Sequence, residues 1–248
     1  MTSIPLHPSF EIAYTGPDLS AGPLPALFYF ALSAQDSLRL DPFNQPVAYL
    51  SSLPMRIFSM TLPGHENQLP PTEALHVWAQ EMARGHNFVA DFAQKVKMAV
   101  EMLQDVLIAD RIAVAGLSRG AFIATHAAAV TPQLRWILGF APLTQLAFAK
   151  EFHGLQGDPT ALMHLAPQLF DRQIRFYIGN LDTRVGTRKC FDFVEKVANA
   201  AFEANIRSPK VELIIGPSIG RDGHGTSKEV FHDGAQWIAE KLGAVDVV

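Results

Sequence analysis

The sequence predicts an α/β architecture: a mostly parallel central sheet flanked by helices on both faces. Three observations carry that prediction. Short runs rich in apolar, β-branched and aromatic residues alternate with longer segments of helical period, the signature of βαβ units. The middle runs are continuously apolar, as strands buried on both faces of a sheet must be. At 248 residues, 48% hydrophobic and 18% charged, the chain is long enough for one large core, and α/β proteins commonly use this length as a single domain. One domain over residues 1–248 is expected, because no repeat, low-complexity segment or linker divides the chain.

Taken in order, strands are predicted near 10–15, 26–31 ("ALFYFA"), 55–61 ("MRIFSMT"), 111–115 ("RIAVA"), 135–140 ("RWILGF"), 174–178 ("IRFYI") and 210–215 ("KVELII"). Between the second and third, Asp41 followed by Pro42 reads as an N-cap with proline at the first helical position, opening a helix to about Leu53. A helix begins near Thr72, and Gly85 separates it from the next. There Phe88, Phe92, Val96, Val100, Leu103 and Leu107 recur at helical spacing and make one apolar face to cover the sheet. Cys190, Phe193, Val194, Val197 and Ala201 place another helix at about 187–204. The last starts at Thr226, where "TSKE" reads as a capping box with Glu229 at its third helical position. The stretch 141–173 contains no obvious strand and is read as a small helical insertion.

Composition excludes several classes of function. With 20 basic and 24 acidic side chains and no terminal block of charge, nucleic acid is not an implied partner. No apolar run reaches membrane-spanning length, and "MTSIPLHPSF" lacks the basic, apolar and small-residue regions of a signal peptide, so a soluble cytoplasmic protein is expected. The single cysteine, Cys190, rules out an intramolecular disulfide and a multi-thiolate metal site and is expected to be buried. There is no HExxH pair, no phosphate-binding GxxxxGK[ST] loop and no GxGxxG opening a helix, so neither metal nor nucleotide cofactor is implied.

One pattern points to chemistry. Residues 116–120, "GLSRG", match G-x-S-x-G, the spacing of a serine on a sharp strand-to-helix turn. With twelve serines and 17 glycines, chance supplies roughly 0.06 such matches, yet the chain has a second one, "GPSIG" at 216–220. Both follow an apolar run, so what comes next discriminates. After Ser118 comes "RGAFIATHAAAV", with high helix propensity and no internal glycine beyond Gly120. After Ser218 comes "IGRDGHG", whose glycines and lack of apolar period argue against a helix. Ser118 is therefore the candidate. Asp182, in "GNLDTRVG", and His224, in "DGHGTS", each lie just beyond a strand of their own, at the sheet edge where sites of open α/β sheets form.

On these segments, "GLSRGA", "GNLDTRVG" and "DGHGTS", the chain resembles the α/β-hydrolase superfamily from about residue 10 to 243, most closely the single-domain hydrolases near its prolyl oligopeptidase and dienelactone hydrolase branches. The resemblance implies that Ser118 is the nucleophile, His224 the general base and acid, and Asp182 the carboxylate that orients the histidine. A serine hydroxyl is a weak nucleophile at neutral pH and needs such a pair. The oxyanion hole is expected from the backbone N–H of Arg119 and of Leu32 or Ser33. The family's His-Gly after the strand at 26–31 is here "ALSAQ", and Ala121 stands where prolyl oligopeptidase relatives often carry glycine.

Each assignment has a plainer rival. Ser118 and His224 can be turn residues, Asp182 a loop cap or the partner of Arg184, and the Arg119 side chain a structural ion-pair partner. Asp158 and Asp171 are weaker acids because neither directly follows a strand. His65 in "TLPGHENQ" either lines the site edge or stabilises its loop, and His126 reads as a satisfied buried histidine. The resulting expectation is a cofactor-independent serine hydrolase that forms an acyl-enzyme from small soluble carboxylic esters. A peptidase, a thioesterase or acyltransferase, and a non-catalytic ligand-binding member remain open.

Overall fold

The computed structural model describes residues 1–66, 69–70, 72–153 and 157–245. Residues 154–156 of the expected insertion, the last two residues of "TLPGHENQ" and the final three of the predicted domain lie outside the described residues. Eight strands form one sheet: β1 (Thr2–His7), β2 (Phe10–Thr15), β3 (Leu24–Phe30), β4 (Arg56–Ser59), β5 (Leu107–Leu117), β6 (Leu134–Phe140), β7 (Gln173–Gly179) and β8 (Val211–Gly216). Their order is β1-β2-β4-β3-β5-β6-β7-β8. The β1/β2 and β2/β4 pairs are antiparallel, and every neighbouring pair from β4 to β8 is parallel. The mixed, mostly parallel sheet predicted from the sequence is thus present.

Helices cover both faces because the buried strands send alternate side chains to opposite sides. Along β3, Ala26, Phe28 and Phe30 join one core cluster while Leu27, Tyr29 and, just past the strand, Ala31 join the other. The first cluster is completed by α3 (Ala74–Ala83), α4 (Phe88–Met102), α5 (Arg119–Val130), α6 (Ala166–Leu169) and α7 (Thr187–Glu203). The second is completed by α1 (Ala34–Arg39), α2 (Gln45–Leu50) and α8 (Lys228–Leu242). Two buried faces explain why β3 and the second half of β5, from Ile112 on, read as unbroken apolar runs. From β3 the chain moves to β4 on one side and then to β5 on the other, so a topological switch point lies at the carboxyl ends of β3 and β5, where ligand sites of such sheets form.

The differences from the sequence reading are local. β1 carries Pro5 and was not predicted; as the outermost strand it has an unpaired side on which proline is tolerated. The helix expected to open at Asp41 and Pro42 instead starts at Gln45, with Pro46 as the first-turn proline, and the short α1 precedes it. The long apolar helix ends at Met102, and Leu107 opens β5 after a single 3-10 turn. At α8 the cap is Ser227, whose hydroxyl accepts the Val230 N–H, one residue later than the "TSKE" box placed it. Among the described residues of the insertion, the helical elements are short 3-10 turns and the four-residue α6. Among the described residues no helix is long and apolar enough to cross a membrane.

Candidate active site

Ser118 joins β5 to α5 at the switch point. Its backbone adopts φ 55° and ψ −116°, a left-handed conformation unfavourable for a side-chain-bearing residue and costing on the order of 1–3 kcal/mol. The surroundings hold it there: Ser118 N–H donates to Phe140 O at 2.8 Å, and its carbonyl accepts from Ala121 N at 3.1 Å and Leu143 N at 3.2 Å. The flanking glycines have a steric reason. A Cβ on Gly116 would lie 2.2 Å from the Gly120 carbonyl carbon, and one on Gly120 would lie 2.0 Å from Phe30 O. The second motif lacks this crowding, since a Cβ on Gly216 would meet nothing within 4 Å, and no helix follows Ser218 until α8.

The loops after β7 and β8 bring the other two residues to this serine. His224 Nε2 lies 2.9 Å from Ser118 Oγ, and His224 Nδ1 lies 2.7 Å from Asp182 Oδ2. A carboxylate only accepts, so Nδ1 carries the proton and Nε2 is left as the acceptor for the serine hydroxyl. The Asp182 side chain is fully buried, and its other oxygen, Oδ1, accepts the N–H groups of Arg184 at 2.9 Å and Val185 at 3.0 Å. Thr187, the first residue of α7, closes the turn: its hydroxyl donates to Gly179 O at 2.6 Å and accepts from Asp182 N at 3.0 Å. The Asp158 side chain instead holds backbone N–H groups of Ala147 and Thr160, and Asp171 pairs with Arg172, so neither reaches His224.

The expected oxyanion segment has a specific arrangement. The N–H groups of Ala31 and Leu32 both donate to the buried Ser37 hydroxyl at 3.0 Å. Ser33 is the N-cap of α1, its hydroxyl accepting Asp36 N and donating to the Asp36 carboxylate. Arg119 N is the first backbone N–H of α5, beside Ser118. Burial, and then the nearby Arg184 charge, bring the Arg119 guanidinium down to about 10. The Arg184 guanidinium holds Glu151 at 2.9 and 3.2 Å rather than Asp182, which leaves the Asp182 carboxylate to the histidine. His65 is 6% exposed, and burial together with Arg119 brings its imidazole down to about 4. Desolvation likewise brings His126 to about 4; its Nε2–H donates to Thr160 O at 2.8 Å, so the ring is satisfied as the sequence predicted, though partly rather than fully buried.

A cleft of about 230 Å³ opens on Ser118 and His224, with apolar walls from Ala31, Leu32, Phe43, Leu117 and Phe231. Phe43 is fixed by the Tyr29 hydroxyl, which donates to its carbonyl at 2.5 Å. None of the described insertion residues lines the cleft. A larger, more polar depression of about 480 Å³, around Glu11, Glu66, His86 and Lys95, includes none of the three central residues. Among the described residues no group of three or more His, Cys, Asp or Glu side chains is placed to hold a metal ion. Ser37, Thr187 and Phe43 escaped the sequence reading because small polar residues and a loop phenylalanine carry no motif.

No family model matches the chain, and no curated protein matches it. Solved structures do. The chain is similar to TT1662 from Thermus thermophilus, at TM-score 0.68 and 14% identity over 95% of both chains. It is also similar to a cold-adapted esterase from an Arctic intertidal metagenomic library, at TM-score 0.63 and 16% identity over 97% of this chain and 92% of that one. Porphyromonas gingivalis dipeptidyl peptidase 4 matches at TM-score 0.63 and 13% identity over 93% of this chain, which spans 33% of that protein; a Bacteroides ovatus chain is spanned to 35%. Identities this low show a shared fold: the chain has the α/β-hydrolase architecture. Ser118 and His224, partly exposed at the cleft, and the buried Asp182 form a constellation consistent with a serine-hydrolase triad.

Proposed function

We propose that this chain is a serine hydrolase that cleaves carboxylic esters of small, soluble acyl groups through an acyl-enzyme on Ser118. The observation that carries the reading is the unbroken relay from a strained serine through His224 to a buried carboxylate, with spacings of 2.9 and 2.7 Å. His224 Nε2 takes the Ser118 proton as Oγ attacks the ester carbonyl, and Asp182 stabilises the imidazolium that forms. The imidazolium then gives that proton to the departing alkoxide. Water repeats the sequence, with His224 as base, to release the acid and restore the serine.

Negative charge on the tetrahedral intermediate needs donors already in place; losing one costs roughly 3–4 kcal/mol. Arg119 N–H is the first. For the second we favour Leu32 N–H, because an oxyanion is a stronger acceptor than a hydroxyl, so the bond to Ser37 exchanges for one to the intermediate while Ser37 keeps Ala31. That engaged Leu32 N–H is also the observation favouring a second reading, a non-catalytic member that uses the same cleft to bind a ligand. A fluorophosphonate probe with mass mapping separates the two. The hydrolase reading expects label on Ser118, with loss of label and ester turnover in a folded Ser118→Ala variant. An unlabelled wild-type protein would leave the binding reading in place.

A further inference from the structure

We infer that Ser218, at the centre of the second G-x-S-x-G motif, is a positioning residue that braces the loop carrying Asp182 against the loop carrying His224. The inference rests on the hydrolase reading and deepens it. The Ser218 hydroxyl accepts the N–H of Leu181, the residue before Asp182, at 2.7 Å and donates to Asn180 Oδ1 at 2.9 Å. Ser218 N–H donates to the same oxygen at 3.2 Å, and Asn180 N–H donates to Gly216 O at 2.8 Å. On its other side, Ser218 precedes Ile219, which forms a β-bridge with His224 and accepts Gly225 N–H at 2.9 Å. One side chain therefore ties the turn that aims the carboxylate to the turn that aims the imidazole.

The two loops approach too closely for a larger group to substitute. A Cβ on Gly223 would lie 2.1 Å from Leu181 O and 3.1 Å from Ser218 Oγ, and one on Gly179 would lie 2.6 Å from Gly223 O. A second tie runs beside the first, with Thr183 N and Oγ1 both donating to Asp222 O, at 2.9 and 3.1 Å. The ties that run between the two loops are hydrogen bonds between short polar side chains and backbone. Such contacts fix direction more than they fix stability, because water competes for each of them when the loops part. Ser218 is half-buried, so losing its hydroxyl is expected to cost the fold little, whereas the 2.7 Å contact of His224 to Asp182 depends on the loops' relative placement.

The test is a double-mutant cycle on the purified chain, with p-nitrophenyl acetate turnover and fluorophosphonate labelling rate as readouts. Ser218→Ala is expected to lower kcat roughly five- to tenfold, the scale of one lost hydrogen bond, with KM and Tm little changed. Asn180→Ala is expected to act in the same direction, and it carries the test if Ser218→Ala does not fold. Because Ser218 acts through Asp182, adding Ser218→Ala to Asp182→Asn is expected to cost less than about twofold more, the non-additivity of residues that act as a unit. Three results would overturn the inference: wild-type rates in both single variants, a full repeated loss on top of Asp182→Asn, or probe adduct on Ser218 itself. Its failure is distinct from failure of the hydrolase reading, which shows as a wild-type protein that takes no label at all.

Discussion

Substituting Gly120 by alanine tests the elbow directly, because the structure gives both the clash and the compensation. The new Cβ would lie 2.0 Å from Phe30 O and 2.6 Å from Phe30 C. Both are backbone atoms of a central strand, so no side chain can swing away, and the helix start must move off β3 by about 1 Å. Overpacking costs typically 1–3 kcal/mol, and a backbone-to-backbone clash belongs at the upper end, about 3. Alanine returns about 1 kcal/mol of helix propensity, leaving a net loss of about 2 kcal/mol. For a chain of this length unfolding as one unit, that lowers Tm by about 4–8 °C. The catalytic effect is larger: a displacement of about 1 Å at a reacting group costs about a hundredfold in rate. Calorimetry and the labelling rate at Ser118 read the two effects. Gly216→Ala is the control, since its Cβ meets nothing within 4 Å; it should change neither by more than the usual surface scatter of about 0.5 kcal/mol. A Gly120→Ala protein with wild-type Tm and labelling rate would refute the steric account of the elbow.

The remaining predictions concern the acid, the buried histidines and the cleft. Asp182→Asn should lower kcat by several orders of magnitude, on the scale of about 10⁴ for a histidine held in the wrong tautomer; a loss below tenfold in steady-state turnover would assign the supporting role elsewhere. His65 and His126, each brought to about 4 by burial, stay neutral in the fold while the unfolded chain takes up protons below about 6.5. The stability these rings contribute should therefore be lost as pH drops from about 6.5 to about 4, His65 accounting for on the order of 3 kcal/mol; urea midpoints that stay flat across that window would contradict the desolvation of both rings. A cleft of about 230 Å³ is below the roughly 300–1,000 Å³ of drug-sized ligand sites, which suits short acyl groups. Across p-nitrophenyl esters, activity should peak among short and medium chains, and dominant turnover of palmitate would show that the cleft extends beyond its present walls.

Periodicity and propensity made most of the sheet legible, and the exceptions share a cause. β3 and the inner stretches of β5, β6 and β7 announce themselves because burial on both faces demands runs of consecutive apolar residues there. β1 does not, because an edge strand is free to carry Pro5 and polar residues. The Asp41-Pro42 signal misled because a capping pair describes only its own turn, while the start of α2 is decided by which residues reach the core, Val47 and Leu50. At the site, Ser118, Asp182 and His224 were legible from strand ends and flanking glycines. Ser218 was legible only as a rejected nucleophile, and its contacts with Asn180 and Leu181 span 38 and 37 residues of chain, a distance no local pattern reports.

The same contrast separates the three central residues by what holds them. Ser118 is fixed by covalent and steric means: a strained φ, two glycine contacts closer than any Cβ allows, and a strand and a helix that meet at the residue itself. Asp182 and His224 sit on loops, and loops have no such ladder. Asp182 is nonetheless fully buried and charged in the proposed mechanism, and an isolated buried carboxylate is costly unless its lone pairs are filled. Two backbone N–H groups and the imidazole fill them, but only while the 180–187 turn keeps its shape. That turn is held at one end by Thr187 on α7 and at the flank by Arg184, whose guanidinium grips a Glu151 side chain only 2% exposed. The histidine loop has no helix until Ser227, so its placement relative to the acid depends on Ser218, Asp222 and the Ile219 bridge. Catalytic geometry here is therefore expected to fail first at the junction of these two loops, before the elbow and before the fold.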